Sequence, residues 1–263
     1  MNELSGTDDR GKIESFGGGN VNSFTLKMIA ITGMTADHIG TVFADQIPLW
    51  LECLLFLPGG MTFPIMAFML TEGYRHTSNV KRYGQRLFVF ALVSLIPFRL
   101  AVGGGLNVLF TLLLGLIVIY CYDNMKARAM FWLLFAGAVI ASAICDWGMI
   151  GVIMIFIYHM AKDKSYRVVL PILCPWLSYL PTFMEILSEM GWEGLKLSLP
   201  SWCYIFIGCS LTIPLLLRYN GERGYKFKWG FYIYYPAHLF ALAVVYGMVT
   251  GDWWSNLSFM FAN

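Results

Sequence analysis

The sequence predicts an all-α, polytopic integral membrane protein of about nine helices (eight to ten) in one bundle. Three observations carry that prediction. Hydrophobic residues make up 58% of the chain and charged residues only 13%, whereas a soluble globular chain has roughly 45–50% and ~25%. The mean hydropathy is +0.63. Apolar runs of about 20 residues, the length a helix needs to cross the ~30 Å hydrocarbon core, recur along the sequence.

Residues 1–22 are polar and glycine-bearing (GKIESFGGGN) and read as a flexible or surface-lying leader. They lack the basic start and short apolar core of a secretory signal, so no cleavage is expected. Residues 23–263 then form a single transmembrane domain. Spans are expected near 24–44, 51–73, 85–103, 106–122, 129–145, 148–161, 166–184, 201–218 and 229–250. The fifth and sixth are short and are joined at Asp146-Trp147-Gly148, a tight hairpin.

Lysine and arginine placement sets the expected orientation. Arg75, Lys81, Arg82 and Arg86 crowd one loop, and Lys126 with Arg128 a second. Lys162, Lys164 and Arg167 fill a third, and Arg218, Arg223, Lys226 and Lys228 a fourth. With nine spans these loops share one side with the N-terminus, and that side is expected to be cytoplasmic. The C-terminus, with Trp253 and Trp254 suited to the interface, is then external. The expected location is the bacterial cytoplasmic (inner) membrane.

Cys121, Cys145, Cys174, Cys203 and Cys209 fall in or beside apolar spans without CxxC or metal-type spacing, so they read as small hydrophobes and no metal is expected. The GGG runs at 17–19 and 103–105 follow no strand and are not phosphate loops. No nucleic-acid partner is expected.

The segment ITGMTADHIG places Asp37 and His38 inside the first apolar span. Counting 1.5 Å per residue from the basic side puts them roughly 21–23 Å deep, Arg99 roughly 20 Å and His238 roughly 14 Å. Ionisable groups at such depth cost at least ~2.5 kcal/mol each, so they normally face one another or a watered cavity. One reading is a packing ion pair of Asp37 with Arg99. The other is a buried polar site, favoured by two imidazoles that each need partners on both nitrogens. Neighbouring helical residues point about 100° apart, so Asp37 and His38 address different partners. Asp37 shares its face with Gly33 and Gly40, where a helix or a ligand can approach closely.

Histidine suits a general base near neutral pH, and Arg99, Tyr234 or Tyr235 would serve as donors to a developing oxyanion. Tyr234 and His238 share a face around Pro236, which interrupts the backbone bonding there. Glu72 can reach Arg75 and His76 at spacings of three and four. Arg82 and Arg86 could clamp phosphates, or the loop could simply contact anionic lipid. His159 reads as interfacial, and Glu185, Glu189 and Glu193 as one solvated helical face.

The segments LKMIAITGMTADHIG, FPIMAFMLTEGYRHTSNVKRYGQRL, NVLFTLLLGL, CDWGMIGV and KWGFYIYYPAHL stand in the order seen in the TraX family, which this sequence resembles from about residue 24 to 242. The family is named for a protein that acetylates the N-terminus of F pilin, and it is similar in pattern to membrane acyltransferases that use cytoplasmic acyl-CoA. The resemblance implies an acyl-CoA-dependent N- or O-acetyltransferase, with acetyl-CoA as donor and a peptide or envelope glycan as acceptor. His38, Asp37, His238 and Arg99 are then the candidate catalytic residues. Glu72, Arg75, His76, Arg82, Arg86, Tyr234 and Tyr235 are the candidate donor-binding residues. The third span departs from the family's Ser-Glu-x-Pro-Phe-Asp, reading Ser94-Leu95-Ile96-Pro97-Phe98-Arg99, a change that could mark a different acceptor. A proton-coupled transporter would also bury Asp and His, but two similar halves are not evident. A non-catalytic pilus or envelope assembly factor would not need the buried charges.

Overall fold

In the computed structural model, residues 19–226 and 228–251 are described. Most of the expected leader lies outside them, as do Trp253, Trp254 and the rest of the C-terminus. Among the described residues eleven α-helices follow in chain order. They are α1 (Ser23–Val42), α2 (Leu49–Gly59), α3 (Thr62–His76), α4 (Val80–Ala101), α5 (Val108–Asn124) and α6 (Arg128–Ala141). After them come α7 (Gly148–Met160), α8 (Lys164–Leu197), α9 (Leu199–Trp202), α10 (Cys209–Leu217) and α11 (Lys228–Thr250). A π-helical stretch, Cys203–Gly208, joins α9 to α10 into one rod.

Each of the nine expected spans falls on a helix or on consecutive helices, but fewer than nine are long and apolar enough to cross a membrane by themselves. Five segments are long and apolar enough to cross a membrane: Leu49–His76, Val80–Ala101, Lys164–Leu197, Leu199–Leu217 and Trp229–Thr250. Val108–Asn124, Arg128–Ile144 and Gly148–Met160 are shorter apolar helices. Helix α1, 20 residues long, is not among the five and carries Lys27, Asp37 and His38. The chain is a helical membrane protein, and its exposed Trp132, Leu133, Ile140, Leu177 and Met248 present an apolar surface to lipid.

Side-chain caps start several helices. Asn22 accepts the amide of Thr25, Asn79 that of Arg82, Asn107 that of Leu109, and Asp163 those of Ser165 and Tyr166. The basic loops gather at one end of the bundle. There Ser23 meets the Tyr219 hydroxyl at 2.8 Å, the Tyr74 hydroxyl donates to Asp123 at 2.8 Å, and Arg75 donates to the His159 carbonyl at 3.2 Å. Beneath them the buried Glu72 carboxylate holds Arg167 at 2.7 Å and Arg75 at 3.2 Å.

Helix α3 runs through the middle, packed against α1, α5, α7 and α10. It is offset from α2 by a break at Gly60 and Met61, and this break nests against the π-helical stretch. A Cβ at Gly60 would lie 2.1 Å from the Tyr204 carbonyl oxygen. Helix α1 meets the same region at Gly33, where a Cβ would lie 2.3 Å from the Pro58 carbonyl oxygen. Irregular backbone at membrane depth is tolerated because it is enclosed by protein on these sides.

Two features differ from the sequence expectation. The acidic segment after residue 184 is helical as expected, but it continues the preceding span and is not a separate short helix. Helix α8 continues through it to Leu197, interrupted only at Gly191 (φ 59°), and Glu185, Glu189 and Glu193 are exposed on it as expected. The Asp146-Trp147-Gly148 hairpin forms with Trp147 at φ 63°, but it lies deeper than a surface loop. Helix α7 has 13 residues and therefore covers only about 20 Å of a ~30 Å core.

Candidate functional site

The buried site is assembled from α1 and α11, which cross next to α2. His38 on α1 and His238 on α11 are both buried and 2.8 Å apart, Nδ1 to Nε2, with rings inclined by only 4°. The depth counts placed both in the middle-to-outer layer of the membrane as parts of one polar site, and the two imidazoles do meet. On its other side the His238 ring presents Nδ1 to the Tyr234 carbonyl oxygen at 3.0 Å.

That carbonyl decides the tautomers, because a carbonyl can only accept. With both imidazoles neutral, His238 carries its proton on Nδ1 and offers a bare Nε2. His38 must then donate to it from Nδ1, which leaves His38 Nε2 unprotonated and basic. Pro236, inside α11, cannot supply a backbone N–H.

Tyr234 and Tyr235 part company here. The Thr35 hydroxyl donates its single proton to the Ile31 carbonyl at 2.9 Å, so the Tyr234 hydroxyl, 2.7 Å from it, is the donor to Thr35. Tyr234 is thereby committed to joining α1 and α11. The Tyr235 ring sits 6.5 Å from that of His38 and 5.7 Å from that of His238. Its hydroxyl is buried near the Val108 amide and the Asp146 carboxylate and makes no hydrogen bond of good geometry.

Asp37 points elsewhere than His38, as the 100° step requires. It packs on α2 at Gly59, where a Cβ would lie 2.7 Å from the Asp37 Cβ. Gly40 likewise faces Phe56, so the small-residue face of α1 is where α2 approaches. Asp146, brought in by the deep hairpin, lies close enough to Asp37 to repel it electrostatically. The hairpin is anchored by the Thr111 hydroxyl, which donates to the Asp146 carbonyl, and by Trp147 stacked on Phe63 at 4.4 Å. Tyr204 is close to both carboxylates.

Arg99 does not join this group. It lies at the end of α4 and its Nε donates to the Gly105 carbonyl at 3.4 Å, so the expected pairing with Asp37 is absent. The departure from the TraX pattern at this position therefore faces its own loop.

A cavity of about 530 Å³ leads from the basic end toward the histidines. Its mouth carries Lys27, His76, Arg86 and Arg223, its walls are mostly apolar, and Met34 and Tyr235 stand at its inner end. Of the basic residues expected to hold a donor, Arg86 and His76 line the cavity. Arg86 stacks over the Tyr83 ring at 5.5 Å, and its Nε is buried without a hydrogen-bond partner. Arg82 is exposed and does not line it. Arg75 is taken by Glu72 and the His159 carbonyl. Glu72 reaches Arg75 and also His76 at 3.9 Å, as its spacing predicts. His159 pairs with Asp123 at 2.9 Å. Among the described residues no group of three His, Cys, Asp or Glu could hold a metal ion.

Lys27, Arg223, Asp146 and Tyr204 were not picked out by sequence reasoning. A signal for Asp146 existed in the shortness of the helix that follows it. Nothing in the linear sequence tied Lys27 or Arg223 to the same opening.

The sequence model of the family described as "TraX protein" matches residues 23–246. A curated relative, "Probable fimbrial assembly protein FimC, serogroup H1" from Dichelobacter nodosus, is 28% identical over 236 residues, covering 83% of this chain and 93% of its own. No solved structure matches.

Proposed function

The chain belongs to the TraX family, and from that premise we propose that it is a membrane acyltransferase serving the assembly of surface fibres. It would move an acetyl or other short acyl group from acyl-CoA to an amine or hydroxyl acceptor, such as a peptide N-terminus or an envelope glycan. The observation that carries the chemistry is the His38–His238 pair, aligned on the Tyr234 carbonyl, just beyond the inner end of the cavity. The fimbrial name of the relative supports the process and is silent on the chemistry.

The donor's phosphates would sit among Lys27, Arg86 and Arg223, with the thioester extended toward Met34 and Tyr235. His38 Nε2 would take the proton of the acceptor as its nitrogen or oxygen attacks the thioester carbonyl. The new bond forms, the C–S bond breaks, and the departing thiolate takes the proton from the His38 imidazolium. His238 would stabilise that imidazolium by accepting a hydrogen bond from its Nδ1–H at Nε2.

The test is transfer itself. Purified protein in lipid nanodiscs, given acetyl-CoA labelled in the acetyl group and a peptide with a free N-terminus or an envelope glycan, should label the acceptor. No transfer to any acceptor and no CoA binding by calorimetry at millimolar ligand would remove the enzyme reading. A second reading, a non-catalytic assembly factor, is favoured by the relative's printed name. It would be upheld if cells carrying His38→Ala still assembled fibres with unmodified subunits.

Two expected outcomes arise from the cavity and the loops. Arg86→Ala should weaken CoA binding by about ten- to a hundredfold, as loss of a charge-assisted hydrogen bond does. Arg82→Ala should stay within about twofold apart from a salt-sensitive part, because its charge is exposed. Calorimetry at two salt concentrations separates them, and equal losses would mean that the cavity is not the donor site. Reporter fusions should place the loops at residues 77–79 and 125–127 in the cytoplasm and residue 263 outside. An internal C-terminus would reverse the proposed direction of donor entry.

A further inference from the structure

We infer that Tyr235 is a catalytic residue whose hydroxyl donates to the oxyanion formed on the thioester carbonyl. The inference rests on the acyl-transfer reading above and names the group that reading leaves open. Attack on a thioester turns a planar carbonyl into a tetrahedral alkoxide, and a donor fixed in advance at that oxygen lowers the barrier. Among the residues expected to serve, the structure removes two. Arg99 is held at the Gly105 carbonyl, and the Tyr234 proton is spent on Thr35.

Tyr235 meets three independent requirements. It lines the inner end of the cavity, so it faces the space a thioester would enter. Its ring centroid lies 6.5 Å from that of His38 and 5.7 Å from that of His238, which puts the hydroxyl in the neighbourhood of the base. The residue is 4% exposed, and its hydroxyl proton has no acceptor of good geometry, since the nearby Val108 amide can only donate to the hydroxyl oxygen. Buried hydroxyls are nearly always hydrogen-bonded, and one standing at a cavity's end has a ligand oxygen as its natural acceptor. Because the hydroxyl proton does not first have to leave another acceptor, its donation falls on the transition state in full.

The step balances without a co-reactant. The acceptor's proton goes to His38 Nε2 and the carbonyl π electrons move to oxygen under the Tyr235 O–H. They then return as the C–S bond breaks, and the thiolate leaves with the proton from His38. Tyr235 keeps its own proton throughout.

Steady-state acetyl transfer from acetyl-CoA to a peptide amine should be compared among wild type, Tyr235→Phe and Tyr158→Phe in nanodiscs. Tyr158 is the control because its hydroxyl is also buried and without a partner, but it lies on α7 away from the cavity lining. Tyr235→Phe should lose about 10²–10³-fold in kcat, with CoA affinity and melting temperature little changed, since at most a weak contact with the Val108 amide is removed. Tyr158→Phe should transfer at the wild-type rate. A Tyr235→Phe protein within about threefold of wild type, or equal losses in both variants, overturns the inference. Wild-type protein that transfers nothing sinks the acyl-transfer reading and this inference together, whereas an active wild type with an active Tyr235→Phe sinks the inference alone.

Discussion

His38→Ala protein is expected to bind CoA as wild type does and to turn over about 10²–10⁴-fold more slowly, the range a general acid–base group supplies. The expectation follows from the bonding order at the site. The Tyr234 carbonyl fixes the proton of His238 on Nδ1, His238 Nε2 fixes that of His38 on Nδ1, and the lone pair of His38 Nε2 is what remains. Donor affinity should survive because the basic mouth of the cavity is made by other residues. His238→Ala should also lower kcat, but the two losses should not multiply in the double variant, since the imidazoles act as a unit. Two readouts are needed, acetyl transfer at saturating acetyl-CoA and calorimetric CoA binding. Well-folded His38→Ala protein turning over within about twofold of wild type would show that His38 is not the base.

The part of this site that the sequence disclosed was disclosed by cost. Asp37, His38 and His238 stand out because a bilayer core penalises such groups, and burying two of them against each other is one way of meeting that penalty. The small residues around Asp37 similarly announced a close helix, and α2 approaches there. The short fifth and sixth spans and their hairpin were legible from length and glycine placement. What stayed hidden depended on helix rotation and crossing. Depth alone put Arg99 level with Asp37, but α4 turns it toward Gly105. Tyr234 and Tyr235 are neighbours with the same chemistry, and only the position of Thr35 tells which hydroxyl is already spent. Arg75, Arg82 and Arg86 looked alike as loop cations, whereas the fold gives one to Glu72, one to solvent and one to the cavity. The number of true membrane crossings also depends on burial, since several of the helices are too short or too polar to declare themselves.

Glu72→Ala should be the most destabilising single substitution at the basic end, lowering unfolding free energy by about 3–5 kcal/mol, the usual cost of removing one member of a buried pair. The reason lies in what it would leave behind. Arg167 is fully buried, with Nη2 on Glu72 at 2.7 Å and on Thr71 at 3.1 Å, Nε on the Tyr158 carbonyl at 3.0 Å, and its guanidinium 4.7 Å from the Phe68 ring. Arg75 shares the same carboxylate at 3.2 Å. One anion therefore balances two guanidiniums that repel each other, and its removal strands both. Glu72→Gln should lose less, because the amide oxygen still accepts from Arg167. Arg167→Met should lose less again, because Arg75 keeps Glu72 paired and the methionine fills the space beside Phe68. High salt should change these differences little, since buried pairs are poorly screened. Unfolding followed in nanodiscs or mild detergent would rank the three variants. A Glu72→Ala loss below about 1 kcal/mol, the range of an exposed ion pair, would mean that the carboxylate does not hold α3 to α8. Glu72 would then be a group of the cavity mouth alone.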